Sequence, residues 1–192
     1  RVTGVRRVLF RSQYITFNKN NGLSKAFNYI CNLALSENFE YICLMDQDSV
    51  FTENNIKLIE NEIEYHEDNN VALYVPKIKY INSYEEIFFD EMDSNNLKNS
   101  TRNLKWAITS GSFINLKLHK IIGEFDENYF IDRVDLDYCK NIKKNKFLIK
   151  EISKCNLFQF LGDRINDKSK YSEHNSIRHY YIFRNRLYFY KM

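Results

Sequence analysis

The stretch that most constrains the fold is a short apolar run that ends in two aspartates. Residues 41–45 (YICLM) carry no charge, and Asp46-Gln47-Asp48 follows directly. A run of this length and type predicts a buried strand. Buried parallel strands place ligands just beyond their carboxyl ends, where paired carboxylates offer the oxygen ligands that Mg²⁺ and Mn²⁺ prefer. Two interpretations stay open here: a metal site, or a turn in which Asp48 or Ser49 caps the next helix.

The segments around this run alternate between strand-like and helix-like patterns. Residues 13–18 predict a strand, apolar residues recur at helical spacing over 23–34, and residues 71–75 predict another strand that Pro76 closes. Strand, helix and strand in this order imply a parallel pair with a right-handed crossover. The sequence therefore predicts an α/β fold, an open and mostly parallel sheet flanked by helices.

Later segments add to this sheet and to its helices. Thr52 is a candidate N-cap, and a short helix over 116–122 is expected to end at Gly123. Residues 147–152 and 157–161 predict two further strands, with a hairpin between them as one arrangement.

A second acidic cluster lies in residues 125–138 (FDENYFIDRVDLDY), where carboxylates alternate with aromatic and aliphatic residues. Asp132 and Asp135 are three residues apart and would share one face of a helix, whereas Asp137 would not. Burial beside apolar groups and other carboxylates raises the pKa of an aspartate toward a value that suits a general base. The alternative is a helix start rich in aspartate, which the helix dipole favours without any catalytic role.

Two basic segments are candidates for binding anions. Asn20-Asn21-Gly22 predicts a turn before a helix, whose free N–H groups and Lys25 would suit an anion, although an ordinary turn explains the pattern as well. Residues 174–192 are amphipathic and aromatic, and they include Arg178 and Arg184. Such a segment either caps a core with its arginines on phosphates or lies on an anionic membrane.

Composition restricts the class of protein and its surroundings. A chain of 192 residues with 44% hydrophobic and 16% aromatic residues is not disordered, and a net charge of +3 does not indicate a nucleic-acid partner. The four cysteines lack CxxC spacing and indicate reduced thiols, not a zinc site or disulfides. With no bilayer-length apolar run and no signal peptide, a cytoplasmic domain is expected, with the inner face of the plasma membrane as one place for it.

Residues 1–12 differ in composition from the remainder of the chain. They are rich in arginine, whereas the later segments prefer lysine and asparagine. We interpret residues 1–12 as a non-native scar, with a genuine edge strand as the alternative, and residues 13–192 as the domain.

Five motifs taken in order resemble the family-2 inverting glycosyltransferases, in their bacterial rhamnosyltransferase-like branch. They are NNGLSKAFN (20–28), LMDQDS (44–49), SGSFI (110–114), GEFDENYFIDRVDLDYC (123–139) and HNSIRHYYIFRN (174–185). The resemblance covers nearly all of the chain after residue 12. It implies a GT-A fold, a nucleotide-sugar donor, a divalent metal such as Mn²⁺ or Mg²⁺, and a glycan or lipid-linked acceptor.

The resemblance also implies roles for individual residues. Asp48 would hold the metal that bridges the donor diphosphate, with Asp46 near the ribose or the metal. Asp135 falls where the family places its base, with Asp132 in reserve. The remaining candidates contact the donor, the acceptor or the metal: Gly22, Lys25, Arg178 and Arg184 for the donor, Ser110 and Gly111 for the acceptor, and His174 for the metal.

Two departures from the family pattern bear on these roles. No strand with a base-gripping loop precedes Gln13, so the N-terminal strand of the fold is expected to be missing. Relatives often carry a histidine where Gln159 stands, which makes His174 a possible substitute ligand.

Transfer of L-rhamnose from dTDP-L-rhamnose to a surface polysaccharide is the activity that the resemblance implies. Two alternatives remain: a truncated, non-catalytic module that binds nucleotide-sugar or carbohydrate, and a metal-dependent nucleotidyltransferase or phosphohydrolase.

Overall fold

The computed structural model describes residues 14–65, 68–88, 101–160 and 175–191. Within them the chain forms one mixed sheet flanked by helices. The elements in chain order are α1 (Leu23–Ser36), β1 (Tyr41–Leu44), β2 (Ser49–Val50), α2 (Glu53–Tyr65), β3 (Val71–Ile81), β4 (Thr101–Asn103), β5 (Ser112–Asn115), α3 (Leu116–Ile122), α4 (Val134–Lys144), β6 (Leu148–Phe160) and α5 (Ser176–Lys191). The excluded segment, residues 1–12, lies outside the described residues.

The sheet has the order β1-β5-β3-β6-β2, and β4 pairs with β6. Only β3 and β6 pair in parallel among the described strands, while the other pairs are antiparallel. The predicted α/β class is confirmed, but the expectation of a mostly parallel sheet is wrong for these strands. Strand β5 runs antiparallel between β1 and β3, and β2 and β4 run antiparallel to β6. Since β1 and β3 are both antiparallel to β5, and β6 is parallel to β3, strands β1, β3 and β6 still point the same way.

Four predicted strands differ from those observed. Residues 14–18 form no strand and are not part of the sheet. Strand β3 continues through Pro76, and residues 147–161 yield one strand, β6, in place of two. Both differences arise at one irregularity, where Pro76 pairs with Ile152 and Lys77 with Asn156. The three extra residues bulge from β6 beside Pro76, which itself lacks an N–H for the ladder.

Helices cover both faces of the sheet. Leu73 and Val75 pack in a cluster with Cys31 of α1 and Ile142 of α4, while the intervening Tyr74 packs with Ile59 of α2 in a second cluster. Alternate residues of a strand point to opposite faces, so the sheet is the middle layer of three.

The predicted helix ends agree with the structure. The Asn55 N–H donates to Thr52 Oγ1 at 3.3 Å, at the start of α2. Helix α3 ends at Gly123, whose N–H donates to the carbonyl of His119 at 2.9 Å. The cysteines are unpaired, and burial raises the pKa of the Cys43 thiol to about 12, so it stays protonated at neutral pH.

Candidate active site

The Asp46–Asp48 turn crosses the carboxyl end of the sheet. Strand β1 ends at Leu44, and the chain re-enters the sheet at Ser49, which pairs with Gln159 at the end of β6. The Ser49 N–H donates to the Asp46 carbonyl at 3.3 Å and closes the turn. The predicted strand and acidic turn are therefore present, at the sheet edge where α/β proteins bind ligands.

Ser110 and Gly111 hold this turn and the end of β1 through hydrogen bonds. The Gly111 N–H donates to the Leu44 carbonyl at 2.7 Å, and the Asp46 N–H donates to Ser110 Oγ at 3.3 Å. Ser110 is 2% exposed, and its hydroxyl lies 2.9 Å from that of Ser49. Contact of Ser110 and Gly111 with an acceptor stays a prediction; within the described residues, both hold the end of β1 and Asp46.

Gln159 also supports this turn, a role that sequence reasoning missed because Gln159 stands out there only as a departure from the family pattern. Its Nε2 donates to Ser49 Oγ at 3.0 Å, which links β6 to Ser49 and through it to Ser110. A neutral amide therefore holds the acidic turn at this position.

The second acidic cluster lies at the start of α4. Asp135 is in the first turn of this helix, and its Oδ1 accepts a hydrogen bond from the Leu136 N–H at 2.8 Å. Asp132 lies before the helix with φ of 62°, followed by Arg133 with φ of 64°. The expectation that Asp132 and Asp135 share a helix face is wrong, because these two left-handed residues delay the helix until Val134.

The two acidic clusters interact through their charges. Burial raises the pKa of Asp135; hydrogen bonds from backbone N–H groups oppose this, and the charges of Asp132 and Asp46 raise it further. Loss of hydration raises the pKa of Asp46, as does the charge of Asp48, while a hydrogen bond from Ser110 lowers it. The fold thus brings four carboxylates from two distant segments into one field, as expected of a functional site.

Helix α5 contacts this cluster with its arginines. Arg178 Nε lies 3.5 Å from Asp132 Oδ2, a buried oxygen that has no hydrogen-bond partner in the described residues. Arg184 Nη1 donates to the Asn128 carbonyl at 2.8 Å. Contact of either arginine with a donor stays a prediction, and His174 lies outside the described residues.

A groove of about 480 Å³ runs between residues 14–23 and Phe130–Ile131, next to the Asp132 cluster. Gly22, which has φ of 83°, lines the groove. The Leu23 N–H at the start of α1 donates to the Phe130 carbonyl at 2.8 Å. This N–H is therefore not available to an anion, whereas Lys25 is exposed on the first turn of α1. A groove of this volume accommodates a small organic ligand.

The carboxylates of the turn suit a divalent cation. No group of three or more His, Cys, Asp or Glu side chains is placed to hold a metal ion among the described residues. Mg²⁺ is usually bound through one or two carboxylates, with substrate phosphates and water completing the shell. Asp46 and Asp48 repel each other, and no lysine or arginine in the described ranges pairs with either. The residues present therefore fit a bound cation.

An acidic turn at the carboxyl edge of a three-layer α/β sheet, with a second acidic cluster near it, is consistent with a GT-A-like fold. Residues 6–116 match the model of Glycosyl transferase family 2, and the chain belongs to that family. This confirms the family resemblance of the motifs.

A curated relative resembles a larger part of the chain. The chain is 27% identical to the dTDP-rhamnosyl transferase RfbF of Shigella flexneri, in an alignment that covers 89% of this chain and 60% of that protein. The chain thus spans about 60% of the length of this relative.

Proposed function

We propose that the protein transfers a sugar from a nucleoside diphosphate to a hydroxyl group with inversion at the anomeric carbon. The observation that supports this is that α4 and the acidic turn are held by one segment, in which the Ala107 N–H donates to Cys139 Sγ of α4 at 3.4 Å and Ser110 Oγ accepts from the Asp46 N–H at 3.3 Å. The charge of Asp46 accordingly acts on Asp135. One cluster would hold the donor and the other would activate the acceptor, as an inverting displacement requires groups on both sides of the reacting carbon.

Asp135 is the proposed general base. It takes the proton of the acceptor hydroxyl as that oxygen attacks the anomeric carbon and the nucleoside diphosphate departs. Its raised pKa makes it a better proton acceptor than an ordinary aspartate, provided that it is ionised. Its hydrogen bond from the Leu136 N–H keeps one oxygen fixed. Asp132 is the reserve base, with one carboxylate oxygen buried near Arg178.

Asp48 and Asp46 are the proposed ligands of Mn²⁺ or Mg²⁺, and His174 is a third candidate. When bound, the cation would neutralise the charge that develops on the diphosphate leaving group. The turn is braced by Ser110 and Ser49, so its carboxylates are held at the sheet edge before any ligand arrives.

The metal site has a test that does not depend on turnover. Mn²⁺ that binds only the folded protein raises its stability by about 2.7 kcal/mol at one hundred times the dissociation constant. We expect Mn²⁺ to raise the melting temperature of the wild-type protein and to have no such effect on Asp48→Ala. An equal rise in both proteins would exclude Asp48 as a ligand.

The proposed donor is dTDP-L-rhamnose, and the proposed acceptor is a growing surface polysaccharide or a lipid-linked glycan. The groove between residues 14–23 and Phe130–Ile131 has a suitable volume for part of the donor. Gly22 lines it. Lys25 on the first turn of α1, Arg178 and Arg184 are the candidates for the donor phosphates. The name of the relative RfbF is the support for dTDP-rhamnose.

Transfer is tested with dTDP-L-rhamnose, Mn²⁺ and acceptor glycans, following both the released dTDP and the glycosylated product. We expect Asp135→Asn to lower kcat by roughly 10²–10⁴-fold, the usual contribution of a positioned base. Asp137→Asn is the matched control, because Asp137 is two residues away in the same helical turn and 4% exposed. Its pKa is raised chiefly by burial and then by the charge of Asp126, which lies outside the Asp46–Asp48 turn.

Each possible outcome distinguishes one class of function. Normal transfer by Asp135→Asn, or equal losses in both variants, would remove Asp135 as the base. Release of dTDP without product would favour a phosphohydrolase, and donor binding without either reaction would favour a non-catalytic module.

We also propose that α5 contacts an anionic membrane, where a lipid-linked acceptor would be located. No helix of the described segments is long and apolar enough to cross a membrane. Along α5, however, apolar side chains that are 53–72% exposed recur every three or four residues: Ile177, Tyr180, Phe183, Leu187 and Tyr190. The helix contains arginines and a lysine but no acidic residue, which suits an anionic surface.

Membrane contact is measured by sedimentation with phosphatidylglycerol and with phosphatidylcholine vesicles. We expect preference for the anionic vesicles, and at least tenfold weaker binding for Phe183→Ser/Leu187→Ser, because roughly 1.5–3 kcal/mol accompanies full burial of one such side chain. Tyr65→Ser is the control, since Tyr65 is 74% exposed at the end of α2. Equal binding to both vesicles would contradict the proposal, and loss of a dimer in the double variant would assign this face to a second copy.

A further inference from the structure

The turn that precedes the proposed base is strained. Asp132 and Arg133 have φ of 62° and 64°, and neither is a glycine. Two consecutive left-handed residues cost free energy and persist only where the surrounding structure fixes them. Helix α4 begins at the next residue, so the conformation of this turn determines where the first turn of α4 lies.

The side chain of Asn185 in α5 holds this turn. Asn185 is fully buried, and its Nδ2 donates to the Ile131 carbonyl at 2.6 Å and to the Asp132 carbonyl at 3.1 Å. Its Oδ1 accepts from Arg184 Nη1 at 3.1 Å, and the same nitrogen donates to the Asn128 carbonyl. The amide thus uses both of its ends, and two carbonyls of the strained turn would lose their donor without it.

We propose that Asn185 is a positioning residue, which holds the left-handed Asp132–Arg133 turn and thereby places the carboxylate of Asp135 for proton transfer. This rests on the proposed function of Asp135. A small displacement of a reacting group costs about 100-fold in rate. Asn185 also contacts Ile131, which lines the groove, and Arg184, a candidate for the donor phosphates, so the KM for the donor should rise as well. The expected signature is a loss in kcat that exceeds the rise in this KM.

A second buried asparagine provides a matched control. Asn28 is 3% exposed, and its Nδ2 donates to the Phe125 carbonyl at 2.9 Å while its Oδ1 accepts from the Phe125 N–H at 2.8 Å. Like Asn185, it extends from a helix to the connection between α3 and α4. Asn28, however, contacts the start of this connection, whereas Asn185 contacts its end, where the strained turn lies.

The experiment compares Asn185→Leu with Asn28→Leu, two neutral replacements of similar size that remove the amide. Each variant is assayed below its own melting temperature, where circular dichroism shows it to be folded, and Asn185→Ala replaces Asn185→Leu if that variant does not fold. We expect Asn185→Leu to lower kcat by about 100-fold and to raise the KM for dTDP-L-rhamnose by a smaller factor. Asn28→Leu should lose stability but retain a kcat close to that of the wild type.

Amide hydrogen exchange tests the same inference without turnover. We expect faster exchange at residues 132–136 in the Asn185 variant, and near residue 125 in the Asn28 variant. A folded Asn185 variant with normal kcat, or with unchanged exchange at residues 132–136, would overturn the proposal. If the wild type shows no transfer, the proposed function fails, and the exchange measurement still decides whether Asn185 holds the turn.

Discussion

Gly22 lies where α1 meets the segment that leads to the acidic cluster, and a methyl group there should be severely destabilising. Its φ of 83° and ψ of 172° belong to a region that is essentially restricted to glycine. A β-carbon at this position would lie 2.5 Å from the Phe130 carbonyl oxygen and 2.8 Å from its Cα. Both are backbone atoms, so a side-chain rotation cannot relieve the contact.

The expected cost of Gly22→Ala has two parts. The backbone conformation contributes about 1–3 kcal/mol for a residue other than glycine. Insertion of a methyl group into a closely packed contact contributes roughly another 1–3 kcal/mol. We therefore expect a loss of about 4 kcal/mol in the free energy of unfolding, which for a domain of this size lowers the melting temperature by roughly 8–16 °C.

The Gly123→Ala variant separates the backbone cost from the packing cost. Its φ of 97° and ψ of 169° are close to those of Gly22, but a β-carbon there would have no atom within 4 Å. Gly123→Ala should therefore show the backbone cost alone, about 1–3 kcal/mol. Urea unfolding followed by circular dichroism gives both values, and unchanged slopes would show that the denatured state is comparable.

The difference between the two variants measures the contact with Phe130. Equal losses for Gly22→Ala and Gly123→Ala would refute the argument, because the backbone conformation would then explain everything. A Gly22→Ala variant as stable as the wild type would show that α1 and the Phe130 segment are not in close contact.

Three further predictions concern charge and capping. Asp135→Asn should be more stable than the wild type at pH 7. The pKa of Asp135 is raised in the folded state, so protonated Asp135 stabilises the fold, and this stabilisation is lost as pH rises through the folded-state pKa. Urea titrations should show the difference in stability between the two proteins vanishing near pH 3, about one unit below the ordinary aspartate pKa. The pH profile of kcat/KM should rise through the pKa of Asp135 and move to lower pH in Asp132→Asn, because the charge of Asp132 raises that pKa. Asn115→Ala should lower stability by about 1 kcal/mol and Asn115→Asp by less, because the Asn115 side chain accepts from the Lys117 and Leu118 N–H groups at the start of α3.

Local patterns predicted the parts of the fold that depend on neighbouring residues. The apolar run before Asp46, the cap at Thr52 and the helix end at Gly123 each depend on residues within one turn or strand, and each is present. The direction of β5 depends on its pairing with β1 and β3, which are distant in sequence, and no local pattern reports such pairing. The same limit explains why one bulged strand was predicted as two.

The residues of the candidate site also divide into those that local patterns predicted and those that they did not. The carboxylates were found because aspartates beside apolar runs are conspicuous in a sequence. The amides that hold them, Gln159 and Asn185, were not predicted to do so, because an amide in a polar or aromatic segment has no distinctive neighbours. The left-handed conformation of Asp132 was missed as well, since nothing in a run of charged residues marks where a helix starts late.

The charges of the site and the strain of its backbone have a common explanation. The charges of Asp132 and Asp46 raise the pKa of Asp135, and the charge of Asp48 raises that of Asp46. The one ion pair that the described residues offer these four carboxylates is the 3.5 Å contact of Asp132 with Arg178. A fold selected for stability alone would separate such charges or pair them more closely. This chain instead uses buried hydroxyls, two amides and a left-handed turn to hold the carboxylates together without neutralising them. That arrangement leaves the carboxylates able to bind a cation on one side and accept a proton on the other, which is what the proposed transfer requires.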